Sequence, residues 1–414
     1  MPGRASAATL STVWARRCRW LGAILMAALA GALLLSALPA MARAPRHVRV
    51  GTAPRHPAGS RTIGPLAAKT RLSALVSLKP SDPSALAAYA QAVSTPGSSI
   101  YHQHLTVAEF RQQFAPTQTQ IQSVESALRA SGLRPGSVSA NGLLIHVSAR
   151  AGAFAHAFST RFQRVKLRAG RTAYANTSAP QLPATVSGYV RGVIGLDSLI
   201  TPHPLGLASE RGSVVTPHAE ANVATGGPQP CTAAGNGNTA DKIASAYDFS
   251  PLYAAGDKGA GQTIAILELE PNTTSDIAAY QSCYGTNTSV NYVSVDGFNQ
   301  TGPGTGEAAL DIEQVIGLAP LATIDVYQAP NTNQSLIDDY TAMVNNSSVN
   351  VISTSWGSCE ANASTLTQTE NTLFMQAAAE GKSVFAASGD NGSVDDDAPA
   401  CTGTALSVDD PASQ

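Results

Sequence analysis

The chain has 414 residues, 43% of them hydrophobic and 13% charged, which is enough for two or three domains with packed cores. Its net charge of −2 hides an asymmetry: from Asp241 onward there are 22 acidic residues, three lysines and no arginine, whereas the first 240 residues carry 23 basic and six acidic ones. All eight histidines fall at or before His218, so the acidic half cannot build a Ser-His-Asp site from its own side chains.

In chain order, Arg16, Arg17 and Arg19 precede an apolar run from Trp20 to Leu38 and then Ala40-Met41-Ala42. This is the order of a secretory signal peptide over residues 1–42, with an uncleaved anchor as the alternative. Cys18 would leave with it, so Cys231, Cys283, Cys359 and Cys401 remain. That is an even number in an exported chain, consistent with two disulfides whose pairing the sequence does not choose. Residues 43–67, rich in Pro, Arg and Gly, read as a linker. Arg71–Leu78 alternates like a strand, and Asp82-Pro83 opens a helix reaching about Val93. Thr106 with Glu109, and Thr117 with Gln120, are capping boxes; the second helix should end at Gly132. Asn141-Gly142 between Ser137–Ala140 and Leu143–Ser148 predicts a hairpin. A helix over Ala151–Thr160 and a strand over Phe162–Leu167 follow. This mixture over residues 68–200 predicts an α+β domain of the split βαβ, ferredoxin-like kind. Residues 201–240 are polar and glycine-rich and read as a second linker, open to proteolysis.

From Asp241 the pattern becomes apolar strands at Thr263–Leu269, Thr323–Tyr327, Val349–Thr354 and Ser383–Ala387, alternating with helices at 305–318, 333–345 and 364–380. That is the pattern of a parallel sheet covered on both faces. Sites in such sheets gather at the carboxyl ends of strands, where Glu268, Glu270, Ser355-Trp356-Gly357 and Ser388-Gly389-Asp390 stand. On the first of these helices Glu307 and Asp311 are four residues apart, so their carboxylates share one face. Like charges at that spacing add nothing to a helix. Held close and partly dry, they share a proton and titrate together, which is how a carboxylate becomes a general base. A solvated acidic face is the alternative reading of the same spacing.

These motifs resemble the sedolisin, or serine-carboxyl peptidase, family, and kumamolisin-like members in particular. The resemblance is carried by Tyr101-His102-Gln103-His104-Leu105-Thr106 with Glu109-Phe110, and by Ile264-Ala265-Ile266-Leu267-Glu268. Gly306-Glu307 through Leu310-Asp311-Ile312-Glu313, Ile352 through Gly357 and Ser388-Gly389-Asp390 complete it. It implies a subtilisin-like α/β fold over 241–414, incomplete here, preceded by an activation propeptide over 68–200. It further implies Glu307 as general base, Asp311 as its partner and Asp390 as the acid that donates to the oxyanion, with Glu268 and Trp356 extending the hydrogen-bond network. A carboxylic acid donates only while protonated, so the chemistry belongs at acidic pH.

The family's Gly-Thr-Ser nucleophile motif and its calcium site are expected downstream of Gln414. The chain therefore reads as a truncated precursor, inactive as it stands and with no metal site of its own. The implied whole is a secreted, extracellular, monomeric endopeptidase that acts on proteins or peptides, with its own propeptide as intramolecular inhibitor. It has no nucleic-acid partner and no membrane association once the signal is cleaved. A non-catalytic secreted binding or surface protein that keeps the fold is the alternative. The opposite charges of the two halves predict a latch that acid and salt would loosen.

Overall fold

The computed structural model describes residues 46–204, 223–232, 238–360, 365–390, 392–394 and 406–414. The signal-like segment, residues 205–222 and 233–237 of the second linker and Cys401 lie outside them.

The first half is built on strand β1 (Arg71–Leu78), helices α1 (Pro83–Ser94), α2 (Val107–Phe114) and α3 (Gln118–Ala130), strands β2 (Pro135–Val138) and β3 (Leu144–Arg150), helix α4 (Ala151–Ala157) and strand β4 (Val190–Ile194). The helix starts are written locally. The Asp82 carboxylate accepts from Ser84 and Ala85 N–H at 3.0 Å, and both expected capping boxes form. The strands make an antiparallel sheet in the order β2-β3-β1-β4. One face carries Ala74, Val76, Ile145 and Val147 against Val124 and Leu128 of α3 and Phe154 of α4.

Residues 47–49 and 61–65, expected as linker, are strands: His47–Arg49 pairs with Gln181–Pro183, and Arg61–Pro65 with Phe162–Lys166. Their side chains are almost all exposed, so no apolar alternation marks them. In the second linker, His203–Pro204 (β5) is likewise a short strand.

The second half contains β6 (Thr263–Glu268), α5 (Thr274–Tyr284), β7 (Ser289–Ser294), α6 (Glu307–Leu318), β8 (Thr323–Gln328), α7 (Asn333–Asn345), β9 (Val351–Thr354), β10 (Trp356–Cys359), α8 (Thr365–Ala379), β11 (Ser383–Ala386) and β12 (Asp409–Asp410). Five of these strands form a parallel sheet in the order β7-β8-β6-β9-β11. Alternate residues bury opposite faces. Ile266, Ile324 and Val326 pack under Ile312 and Ile316 of α6 and Ile277 of α5. Ala265, Leu267 and Ile352 pack under Leu336, Ile337, Tyr340 and Met343 of α7 and Leu373 and Ala377 of α8.

The two halves share that second core. Leu75 of β1, Leu144 of β3 and Ile194 of β4 belong to it, so α7 and α8 lie between the parallel sheet and the antiparallel one. Buried hydrogen bonds fix the register: Ser77 to Thr369 and Asn141 Nδ2 to Gln376 Oε1, both 2.8 Å.

Candidate active site

Helix α6 begins after Gly306, whose φ of 108° lies in the left-handed region that a side chain resists and whose lack of a Cβ leaves no side-chain cap. Glu307 is the first helical residue and is 1% exposed. Asp311 stands one turn further on. Ser355, between β9 and β10, donates through Oγ to Asp311 Oδ1 at 2.9 Å and also hydrogen-bonds the Glu307 carboxyl. From the end of β6, fully buried Glu268 accepts the indole N–H of Trp356 through Oε2 at 2.9 Å and reaches Asp311. Asp390, exposed after β11, acts on Glu307 through its charge. Glu268, Glu307, Asp311 and Trp356 therefore meet at the carboxyl edge of the parallel sheet, with Asp390 near enough for its charge to act on Glu307.

Few donors point at these carboxyls. Glu268 Oε1, Glu307 Oε2 and Asp311 Oδ2 are buried without a hydrogen-bond partner among the described residues. An anion left so costs several kcal/mol, and the usual relief is to keep a proton. Burial, reinforced by the charge of Asp311, pushes Glu307 up to about 8; the Ser355 hydrogen bond opposes this, and Asp390 and Glu270 add to it. Burial also raises Asp311, against the hydrogen bonds from Ser355 and Glu268. Glu268 is pushed well above the carboxylate range by burial and by Asp311, with Trp356 opposing. The cluster can hold protons near neutral pH and pass one between neighbouring carboxyls.

Three further participants join them. The sequence places Ser355 and Glu270 at strand ends without giving either a role. Glu270 accepts from the start of α6. The third is β5, which pairs antiparallel with β10, His203 opposite Gly357 and Pro204 opposite Trp356. The His203 Nε2 lies 3.7 Å from Oδ2 of buried Asp409 in β12. Linker residues thus lie along the strand that follows Ser355.

Away from the site, Cys231 and Cys283 form a disulfide. Cys359 is disulfide-bonded as well, and Cys401 lies outside the described residues. Among the described residues no group of three or more His, Cys, Asp or Glu is placed to hold a metal ion, and no helix is long and apolar enough to cross a membrane.

The family model of the pro-kumamolisin activation domain matches residues 58–199. Sedolisin of Pseudomonas sp. (strain 101) is 32% identical over 342 residues, 79% of this chain and 55% of that protein. Xanthomonalisin of Xanthomonas sp. (strain T-22) is 28% identical over 331 residues, 77% of this chain and 39% of that protein. Kumamolisin of Bacillus sp. (strain MN-32) is 33% identical over 225 residues, 52% of this chain and 38% of that protein. The chain spans about half the length, or less, of these relatives. With an activation-domain match in the first half and relatives that align across both halves, the chain belongs to the sedolisin family and is a precursor form within it.

Proposed function

We infer that residues 241–414 supply the carboxylate part of a serine-type endopeptidase site that works in acid. The observation that carries this reading is the pairing of buried Glu307 with half-buried Asp311, joined by Ser355 and backed by Glu268 and Trp356. Glu307, once ionised, takes the proton of an attacking serine hydroxyl. Asp311 and Glu268 share protons with it and keep it oriented. Asp390, in its protonated form, donates to the oxyanion. Ser355 is not assigned as the nucleophile, because its hydroxyl is committed to Asp311. The Gly-Thr-Ser motif that carries the family's nucleophile does not occur in residues 1–414, so the serine itself is left unassigned.

The activation domain acts as the chain's own inhibitor. The support is β5: an added antiparallel strand is how an extended peptide docks on a sheet edge, and His203–Pro204 holds that position beside the site. Protein or peptide substrates would enter the same way after cleavage within 201–240. Secretion as a monomer, after removal of residues 1–42, completes the reading. Calcium is expected of the family, but the described residues offer no cluster that fits it, and no step here depends on it.

The test is peptide turnover by the complete gene product between pH 3 and 7, in the wild type and in Glu307→Gln and Asp390→Asn. Each substitution should lower kcat by roughly 10²–10³. Wild-type turnover in either variant would refute the assignment of that residue, and a complete product that binds peptides without cleaving them would favour the binding-protein alternative.

A further inference from the structure

Glu270 lies two residues past the end of β6, is 7% exposed, and has no part in the motifs that mark the family. Its carboxylate is tied to the start of α6 at three points. Oε2 accepts the Thr305 N–H at 2.7 Å, and Oε1 accepts the Thr305 hydroxyl at 3.0 Å and the Ala308 N–H at 3.4 Å. Its own backbone carbonyl is held by Gln328 Nε2 at 3.1 Å. Gly304 makes room: its φ is +60°, and a Cβ there would lie 2.4 Å from the Pro271 carbonyl oxygen and 2.7 Å from Glu270 Cδ.

A helix start leaves N–H groups without intrahelical acceptors, and a capping side chain normally takes them. Gly306 has no side chain to offer, so Glu270 does this from another element. The consequence reaches the site because Glu307 is the first residue of α6. The positive end of a helix favours an ionised carboxylate and so pulls against the burial that keeps Glu307 protonated until it is called on as a base. A second carboxylate on the same N–H groups cancels that pull. The other groups facing Glu307 are Asp311 on its own helix, Ser355 after β9, Asp390 after β11 and Glu268 on β6.

We propose that Glu270 is a positioning residue for Glu307: it seats the first turn of α6 and offsets the helix field so that Glu307 keeps its proton in the folded protein. This builds on the reading of Glu307 as the base, but its test needs no turnover and so fails separately from that reading.

The experiment is a carbon-13 carboxyl titration of the 414-residue chain, with the Glu307 signal identified by its loss in Glu307→Gln, together with amide exchange at Thr305 and Ala308. In Glu270→Gln the Glu307 midpoint should fall by roughly half a pH unit or more, and exchange at the two amides should rise about tenfold. Gly304→Ala, which displaces the carboxylate and keeps its charge, should speed exchange as well. A Glu307 midpoint that stays put in Glu270→Gln while exchange quickens would reduce Glu270 to a helix cap and overturn the proposal. Unchanged exchange in both variants would overturn it too.

Discussion

Replacing Glu307 by Gln should make the protein more stable than wild type at alkaline pH and leave the two alike, apart from a constant offset, in acid. The carboxyl holds its proton in the folded chain up to about 8 and releases it near 4.5 when unfolded. Between those values the folded state binds more protons, so wild-type stability falls as pH rises. The favourable proton uptake is complete below about 4.5 and gone above about 8. Each pH unit between the two is worth about 1.4 kcal/mol, an upper bound of roughly 5 kcal/mol. Water beside the start of α6 screens part of this, so a gap on the order of 2 kcal/mol is expected. Glutamine fills the same space and carries no charge at any pH, so its profile should lack this component. Thermal unfolding of both proteins from pH 4 to pH 9 reads the gap directly. Two profiles that run parallel over the whole range would show that Glu307 does not hold a proton in the folded state, and the argument that burial raises its proton affinity would fail.

Trp356→Phe removes the indole donor from Glu268, so Glu268 should hold its proton more tightly. The destabilisation should therefore be larger at pH 8 than at pH 4; equal losses at both would count against it. Asn141→Ala breaks the bond to Gln376 and the local bonds to Ser139 and Leu143. It should cost about 1–3 kcal/mol, measured as a lower unfolding midpoint, and an unchanged midpoint would contradict the buried geometry. Exchange at the Leu105 amide, bonded to the Ala379 carbonyl of the other half at 2.9 Å, should change less than about threefold between low and 1 M salt if apolar packing holds the halves together.

What the sequence made legible was local. The capping boxes, the Asn141-Gly142 turn and the four apolar strands of the parallel sheet each depend on residues within a few positions of one another. Strand β7, Ser-Val-Asn-Tyr-Val-Ser, was not seen because as a largely exposed edge strand it has little apolar alternation. Strand β10 follows β9 with one residue between them and merges with it in any pattern search. Glu268, Glu307 and Trp356 could be picked out because each sits where a strand or helix begins or ends, and Asp311 because it stands one turn from Glu307. Ser355 and Glu270 could not be ranked the same way. Ser355 acquires its meaning from Asp311, 44 residues away, and Glu270 from a helix start about 35 residues on.

The charge asymmetry is a sequence signal that leads to a different conclusion in three dimensions. It suggested a basic first half attracted to an acidic second half and loosened by acid. The described contact is instead apolar, with Leu75, Leu144 and Ile194 set into the core of α7 and α8. Arg191 spends its guanidinium on neutral Thr372 and Gln368. The described ion pairs that cross between the halves are His146–Asp338 at 2.8 Å and the linker contact His203–Asp409. In the first pair the hydrogen bond to Asp338 raises His146, and burial raises Asp338. A raised histidine contributes stability that is present below its unfolded value near 6.5 and lost as pH climbs through its folded one. A raised aspartate acts in the same direction, so the joined state takes up protons as pH falls. Protonating this pair therefore favours the folded state in which the two halves touch. On the proposed function, release then rests on the covalent connection: with the chain uncut within 201–240, the β5 strand stays at an effective concentration set by its own tether.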